Sequence, residues 1–208
     1  MKGEADLEGL RHGPLSASTV HLCIDMQCLF AEATEWQTPW MKRVLPNVEA
    51  LVSADPSKTI FSRFIPAAHP GEGRGAWARY WRRWSSMTRD HLPDQMIELV
   101  PELARFAPPA TIIDKKYYSP WIDTALDIEL KRLDADTLII SGGETDVCVL
   151  AAVLGAVDRG YRVVIASDAL CSSSDQTHDA LMMLYHQRYT EQVETVSTKA
   201  LIAAWKPA

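Results

Sequence analysis

Six short runs rich in β-branched and other apolar residues punctuate the chain, at Val20–Met26, Thr59–Phe64, Thr111–Lys115, Thr137–Gly142, Arg162–Ser167 and Val193–Ser197. Their apolar residues run almost without interruption, as in TLIIS and RVVIAS, instead of alternating with polar ones. That is the pattern of strands covered on both faces, and it predicts a parallel sheet. Between the runs, Pro39–Ala54, Arg74–Met87, Asp123–Leu133, Asp146–Arg159 and Gln176–Tyr189 place apolar residues three and four apart, the spacing of one helical face. Gly160 follows the fourth segment as a left-handed stop. Strand and helix alternate, so the expected architecture is an α/β sandwich with a mostly parallel six-stranded sheet.

Length and composition narrow this picture. The 208 residues suit one domain, with 1–18 as an N-terminal extension. Hydrophobic residues make up 47% and charged residues 23% of the chain, a globular balance. A net charge of -6 gives no electrostatic reason to expect nucleic acid as a partner. The longest apolar stretch, Val147–Val157, is too short for a membrane span, and the first residues lack the continuous apolar core of a secretory signal. No membrane partner and a cytoplasmic address are the expectation. The four cysteines, at 23, 28, 148 and 171, have no CxxC spacing and read as thiols.

In an open parallel sheet, ligands bind beyond the carboxyl ends of the strands. The polar residues there are Asp25 and Gln27, Arg63, Lys115, the SGGETDVC turn and Asp168. In that turn Cys148 falls in the expected first turn of a helix, where free N–H groups and the helix dipole favour a thiolate. A drop of about two pKa units would raise its ionised fraction at pH 7 from about 3% to roughly three quarters. Lys115, placed beside the fourth strand in the simplest topologies, is a candidate counter-cation, and Asp25 a candidate proton acceptor and donor. Each has a plainer reading: a small core residue for Cys148, a solvated charge for Lys115, a cap or turn former for Asp25. Three chemical signals on three strand ends favour a nucleophilic site.

These residues sit in motifs that resemble the isochorismatase-like cysteine hydrolases, the family of nicotinamidases and N-carbamoylsarcosine amidohydrolases. HLCIDMQCLF carries the family's strand followed by Asp25, Gln27 and Phe30. DKKYYSPW carries Lys115 four residues before Ser119, then Pro120 and Trp121. GGETDVCV followed by RGYRVVIASDA matches the third and most specific signature, and the resemblance spans Val20 to Ser197. It implies a Rossmann-like three-layer sandwich, a catalytic triad of Asp25, Lys115 and Cys148, and a cis peptide before Glu144. It also implies an oxyanion hole from the Glu144 and Cys148 amides. The isochorismatases proper lack the cysteine, so its presence points to hydrolysis of a C–N bond in a small amide, N-carbamoyl or ureide substrate, through a thioester.

Other features qualify the resemblance. Nicotinamidases bind a metal through an Asp-x-His pair and a further histidine, whereas SRFIPAAHPGEGRG offers His69 alone, so no metal and no other cofactor are expected. Gln27, Phe30, Arg63, Tyr118 and Trp121 are the expected substrate-binding residues, Arg63 as a carboxylate clamp or else a structural ion pair, and Trp121 as an aromatic wall. Trp77, Trp81 and Trp84, at helical spacing with interleaved arginines, read as a core or subunit-interface stripe. The expected assembly is a homo-oligomer, dimer or tetramer. Two rivals to the hydrolase stay open: a catalytically altered member that binds a small molecule or a subunit, and a thiol redox protein pairing Cys148 with Cys28 or Cys171.

Overall fold

A computed structural model of the chain describes residues 9–205. Its six strands are β1 (Thr19–Ile24), β2 (Thr59–Phe64), β3 (Thr111–Lys115), β4 (Thr137–Gly143), β5 (Arg162–Cys171) and β6 (Val193–Val196). They form one sheet in the order β3-β2-β1-β4-β5-β6, and every neighbouring pair is parallel. The order reverses between β1 and β4, the point where an open α/β sheet leaves a crevice for ligands.

The continuous apolar runs divide by parity between two cores. Cys23, Phe61, Ile139 and Val164 face one side with helices α1 (Met41–Ala54) and α6 (Thr198–Ala204). Leu22, Ile24, Leu138 and Ile140 face the other, with helices α3 (Leu126–Arg132), α4 (Leu150–Asp158) and α5 (Asp175–Arg188). This is the three-layer sandwich. All six residues of β1 are buried, and each of its Val, Leu and Ile side chains contributes roughly 1.5–3 kcal/mol by leaving water. Helix α2 (Ala76–Arg83) is shorter than its hydrophobic spacing suggests, because the chain breaks at Trp84 into a short turn over Ser85–Met87. Helix α6, absent from the sequence expectation, is capped by Ser197, whose side chain accepts the Ala200 N–H.

Two departures bear on the site. Strand β5 continues past Ser167 to Cys171, and its register against β4 jumps between Ile140 and Gly142. Asp168 therefore lies within the irregular part of the strand and not at its end. Its Oδ1 accepts the Thr198 N–H and hydroxyl, both at 2.7 Å, so it anchors α6. Of the expected N-terminal extension, residues 1–8 lie outside the described residues. Residues 9–18 are fastened to the sheet: the Arg11 and His12 amides donate to Glu194 Oε1, at 2.6 and 3.2 Å, and Arg162 binds Glu194 Oε2 at 2.7 Å.

Candidate active site

The signature residues arise on distant parts of the chain and meet at the carboxyl end of the sheet. Asp25 follows β1 directly, with φ at 50°. Asp tolerates this left-handed conformation better than most residues do. Its Oδ1 accepts the Ser62 hydroxyl at 2.6 Å. Its Oδ2 forms a fully buried ion pair with Lys115 Nζ at 2.7 Å. Lys115 Nζ also donates to Cys148 Sγ at 3.3 Å and to the Tyr117 carbonyl at 3.1 Å. The aspartate and lysine side chains are fully buried, and Cys148 is 6% exposed.

Lys115 does not stand beside β4. It ends the edge strand β3, with β2 and β1 between it and β4. Its long side chain closes the gap by running past the Phe64 ring of β2, with Nζ 5.0 Å from the ring centre. A solvated charge is thus replaced by one held among a carboxylate, a thiol, a carbonyl and a π face. Desolvation alone would lower the Lys115 pKa, but the Asp25 charge and then Cys148 outweigh it, and the net shift is upward.

The Cys148 thiol contradicts the expectation of a ready-made thiolate. It lies in a single turn of π-helix, Thr145–Val149, ahead of α4. Burial pushes its pKa well above the ordinary thiol range, and although Lys115 pulls downward, the Asp25 carboxylate adds to the rise. Burial and the Asp25 charge thus act against a standing thiolate, with Lys115 opposing them.

Around the turn, the Gly143–Glu144 peptide is cis. The Val147 and Val149 amides both turn back to the Glu144 carbonyl, at 3.1 and 3.0 Å. Gly142 has φ at 103°, and a Cβ there would overlap the Ile24 backbone of β1, so this strand end requires glycine. Thr145 Oγ1 pairs with His178 Nδ1 at 2.8 Å and donates to the Cys171 carbonyl at 3.1 Å, tying the turn to α5 and β5.

Cys148 opens onto a cavity of about 220 Å³. Of the expected binding residues, Phe30 and Tyr118 line it; Gln27, Arg63 and Trp121 do not. Gln27 is fully buried, and its amide bridges the Phe64 N–H and carbonyl and the Ile97 carbonyl, so it buttresses the loop after β1. Arg63 points along the sheet edge to Asp114 at 2.8 Å and Glu98 at 2.6 Å, the structural ion pair and not the clamp. Trp121 packs into the core that also holds Cys148, away from the cavity, where Nε1 donates to the Ala152 carbonyl at 2.9 Å and the ring stacks on Tyr161.

Trp36, which with Trp40, Tyr118 and Trp121 follows the strand ends as a candidate pocket wall, lines the cavity, whereas Trp40 does not. Sequence reasoning missed Ser62 and, in the wall, Phe64, Tyr80, Trp84 and Glu35. The tryptophan stripe held part of this signal: Trp81 is buried core, whereas Trp84 faces the pocket. Cys23, Cys28, Cys148 and Cys171 are all free thiols. His69 pairs with Asp90 at 2.9 Å, and among the described residues no three His, Cys, Asp or Glu side chains converge as a metal-holding group. Nor is any helix among them long and apolar enough to cross a membrane.

The chain matches a known family and known folds. An isochorismatase domain model matches residues 19–197. The chain is 25% identical over 146 residues to an uncharacterized isochorismatase family protein of Bacillus subtilis, covering 70% of this chain and 76% of that one. It is 24% identical to Nicotinamidase 3 of Arabidopsis thaliana, covering 85% and 84%. Its fold is similar to that of a cysteine hydrolase from Pseudomonas syringae pv. phaseolicola, with a TM-score of 0.77, 24% identity and coverage of 95% and 97%. It also resembles N-carbamoylsarcosine amidase from Thermoplasma acidophilum, with a TM-score of 0.70, 18% identity and coverage of 87% and 96%. With the domain matched over most of its length, the chain belongs to the isochorismatase family.

Proposed function

We propose that this protein is a cysteine hydrolase that cleaves a C–N bond of a small amide through a thioester. The observation that carries the reading is Lys115 Nζ, in contact with both Cys148 Sγ at 3.3 Å and Asp25 at 2.7 Å, beside a pocket that reaches the sulfur. In the first half-reaction the thiol proton passes to the Asp25 carboxylate as sulfur attacks the carbonyl carbon. Lys115 keeps its ammonium between the carboxylate and the sulfur and stabilises whichever of them carries negative charge at each step. The Glu144 and Cys148 amides receive the oxyanion. As the intermediate collapses, Asp25 returns the proton to the departing nitrogen, which leaves as ammonia or an amine. Asp25 then takes a proton from water, which attacks the thioester; the acid departs and the thiol is restored.

A neutral resting thiol fits this sequence of proton transfers better than a standing thiolate does. Deprotonation coupled to attack places negative charge on sulfur only when the carbonyl is there to accept it. The test is a panel of small primary amides, N-carbamoyl acids and ureides scored by ammonia release, followed by the Cys148→Ala variant on the best substrate. The expected outcome is loss of turnover by three orders of magnitude or more, about 4 kcal/mol of transition-state stabilisation. Full turnover by that variant overturns the proposal.

A further inference from the structure

The pocket wall has a composition that the chemistry at its floor does not require. Six aromatic side chains line it: Phe30, Trp36, Phe64, Tyr80, Trp84 and Tyr118. Trp36 is the hub, with its ring centre 6.0 Å from Tyr80 and from Phe64 and 5.9 Å from Trp84, at interplanar angles of 37°, 61° and 70°. The rings therefore present both faces and edges around one space instead of a single parallel slot. The charged side chains of the wall are both acidic, Glu35 and Glu144. Glu35 accepts the Ser86 hydroxyl, and Glu144 accepts the Ser173 N–H at 3.0 Å. Neither is in an ion pair with Lys, Arg or His among the described residues.

The nearby cations are committed elsewhere. Lys115 is held by Asp25, and Arg63 by Asp114 and Glu98. Arg83 lies over Trp84, 4.5 Å from its ring centre, but does not line the cavity. A substrate carboxylate entering this space would meet two carboxylates and, among the residues lining it, no ammonium or guanidinium. A cation would meet aromatic faces, which attract it through their quadrupoles, and two counter-charges. The Glu144 charge is felt across the pocket, where it adds to the effect of burial in holding the Tyr80 and Tyr118 hydroxyls protonated.

We infer that the substrate is a cationic amide, a small molecule whose hydrolysable C(=O)–N group reaches Cys148 while an ammonium group, methylated or protonated, sits among Trp36, Tyr80 and Trp84 with Glu35 as its counter-charge. The cavity holds about 220 Å³. Drug-sized ligands take roughly 300 Å³ or more, so the molecule is metabolite-sized. The inference rests on the amide-hydrolase reading for the reaction but on the wall alone for the charge.

Three amides of nearly equal size separate the charge: betaine amide (trimethylammonium), 3,3-dimethylbutanamide (its neutral isostere) and malonamate (anionic). The expected result is a kcat/KM for betaine amide about ten- to a hundredfold above the neutral isostere, with malonamate lowest. Glu35→Gln should lower the cation-to-neutral ratio by roughly fivefold or more. A second readout needs no turnover: tetramethylammonium chloride, against sodium chloride at equal ionic strength, should slow alkylation of Cys148 in the unmodified protein, read by peptide mass. Equal or faster hydrolysis of the neutral or anionic amide overturns the cationic assignment and leaves amide hydrolysis standing. Protection by tetramethylammonium without ammonia from any amide supports the cation pocket and counts against the amidase reading. No protection together with no cation preference ends the inference.

Discussion

Replacing Gly155 by alanine sets two physical effects against each other. Gly155 lies inside α4, where a helix-propensity argument predicts that alanine stabilises by about 1 kcal/mol. A Cβ built at this position, however, overlaps the indole of Trp121. That indole has little room to move: Nε1 is bound to the Ala152 carbonyl at 2.9 Å, Tyr161 stacks on the ring, and Arg159 lies 4.3 Å from the ring centre. Overpacking of such a site costs about 1–3 kcal/mol. Displacing the ring also strands a buried N–H, at about 1–3 kcal/mol more. The net expectation is destabilisation of about 3 kcal/mol, or roughly 6–12 °C in Tm for a chain of this size. Urea unfolding followed by far-UV circular dichroism would measure it. A Trp121→Val background supplies the control, because with the indole gone the alanine should be neutral or stabilising and the pair strongly non-additive. A Gly155→Ala protein as stable as the parent would show that the indole yields freely and that the contact argument is wrong.

Other expectations follow from the buried charges. In the unmodified protein, iodoacetamide labelling of Cys148 should have a pH midpoint above that of free thiols, since burial pushes the thiol up. Asp25→Asn removes the carboxylate that adds to this rise, so labelling at pH 7 should speed up by roughly tenfold or more while turnover falls by about 10²- to 10⁴-fold. If labelling slowed together with turnover, the Asp25 charge would not be what opposes the thiolate. His21, fully buried in β1 between Ser141 and Thr59, has its pKa lowered to about 3 by burial. Between that value and the ordinary histidine pKa of about 6.5, the unfolded chain carries a proton the folded one excludes, so stability must fall as pH falls through this window. The contribution is at most about 1.4 kcal/mol per pH unit. A His21→Gln variant should show a shallower stability loss between pH 6 and 4 in urea titrations. An unchanged slope would mean that His21 is protonated in the fold.

The inner strands were readable because a strand buried on both faces has no alternative to a continuous apolar run; β2 begins and ends where composition places it, as does the edge strand β3, although alternate residues of β3 are exposed. The irregular part of β5 was not readable. Its extra residues carry no turn signature, and only pairing with β4 shows that Asp168 lies within the strand. At the site, Asp25, Lys115 and Cys148 could be singled out as strand-end chemistry, but the direction of the cysteine's pKa could not. Helix position was visible in sequence; the depth of burial and the adjacent Asp25 charge belong to the tertiary structure. The pocket wall was obscured for a similar reason. Trp81 and Trp84 are three residues apart, yet helix α2 ends between them, so one enters the core and the other the cavity.

The position of Lys115 on the sheet's edge has a consequence for how this protein comes to work at all. Its ammonium reaches Asp25 and Cys148 only after β3 has docked on β2, β2 on β1, and β1 on β4. These pairings join segments far apart along the polymer, and such long-range closures are slow to form. No subset of these four strands can bring the three groups together, so the proposed hydrolysis would report on the joining of β3, β2, β1 and β4. A chain in which only the outermost strand has come loose would keep most of its optical signature and be chemically silent.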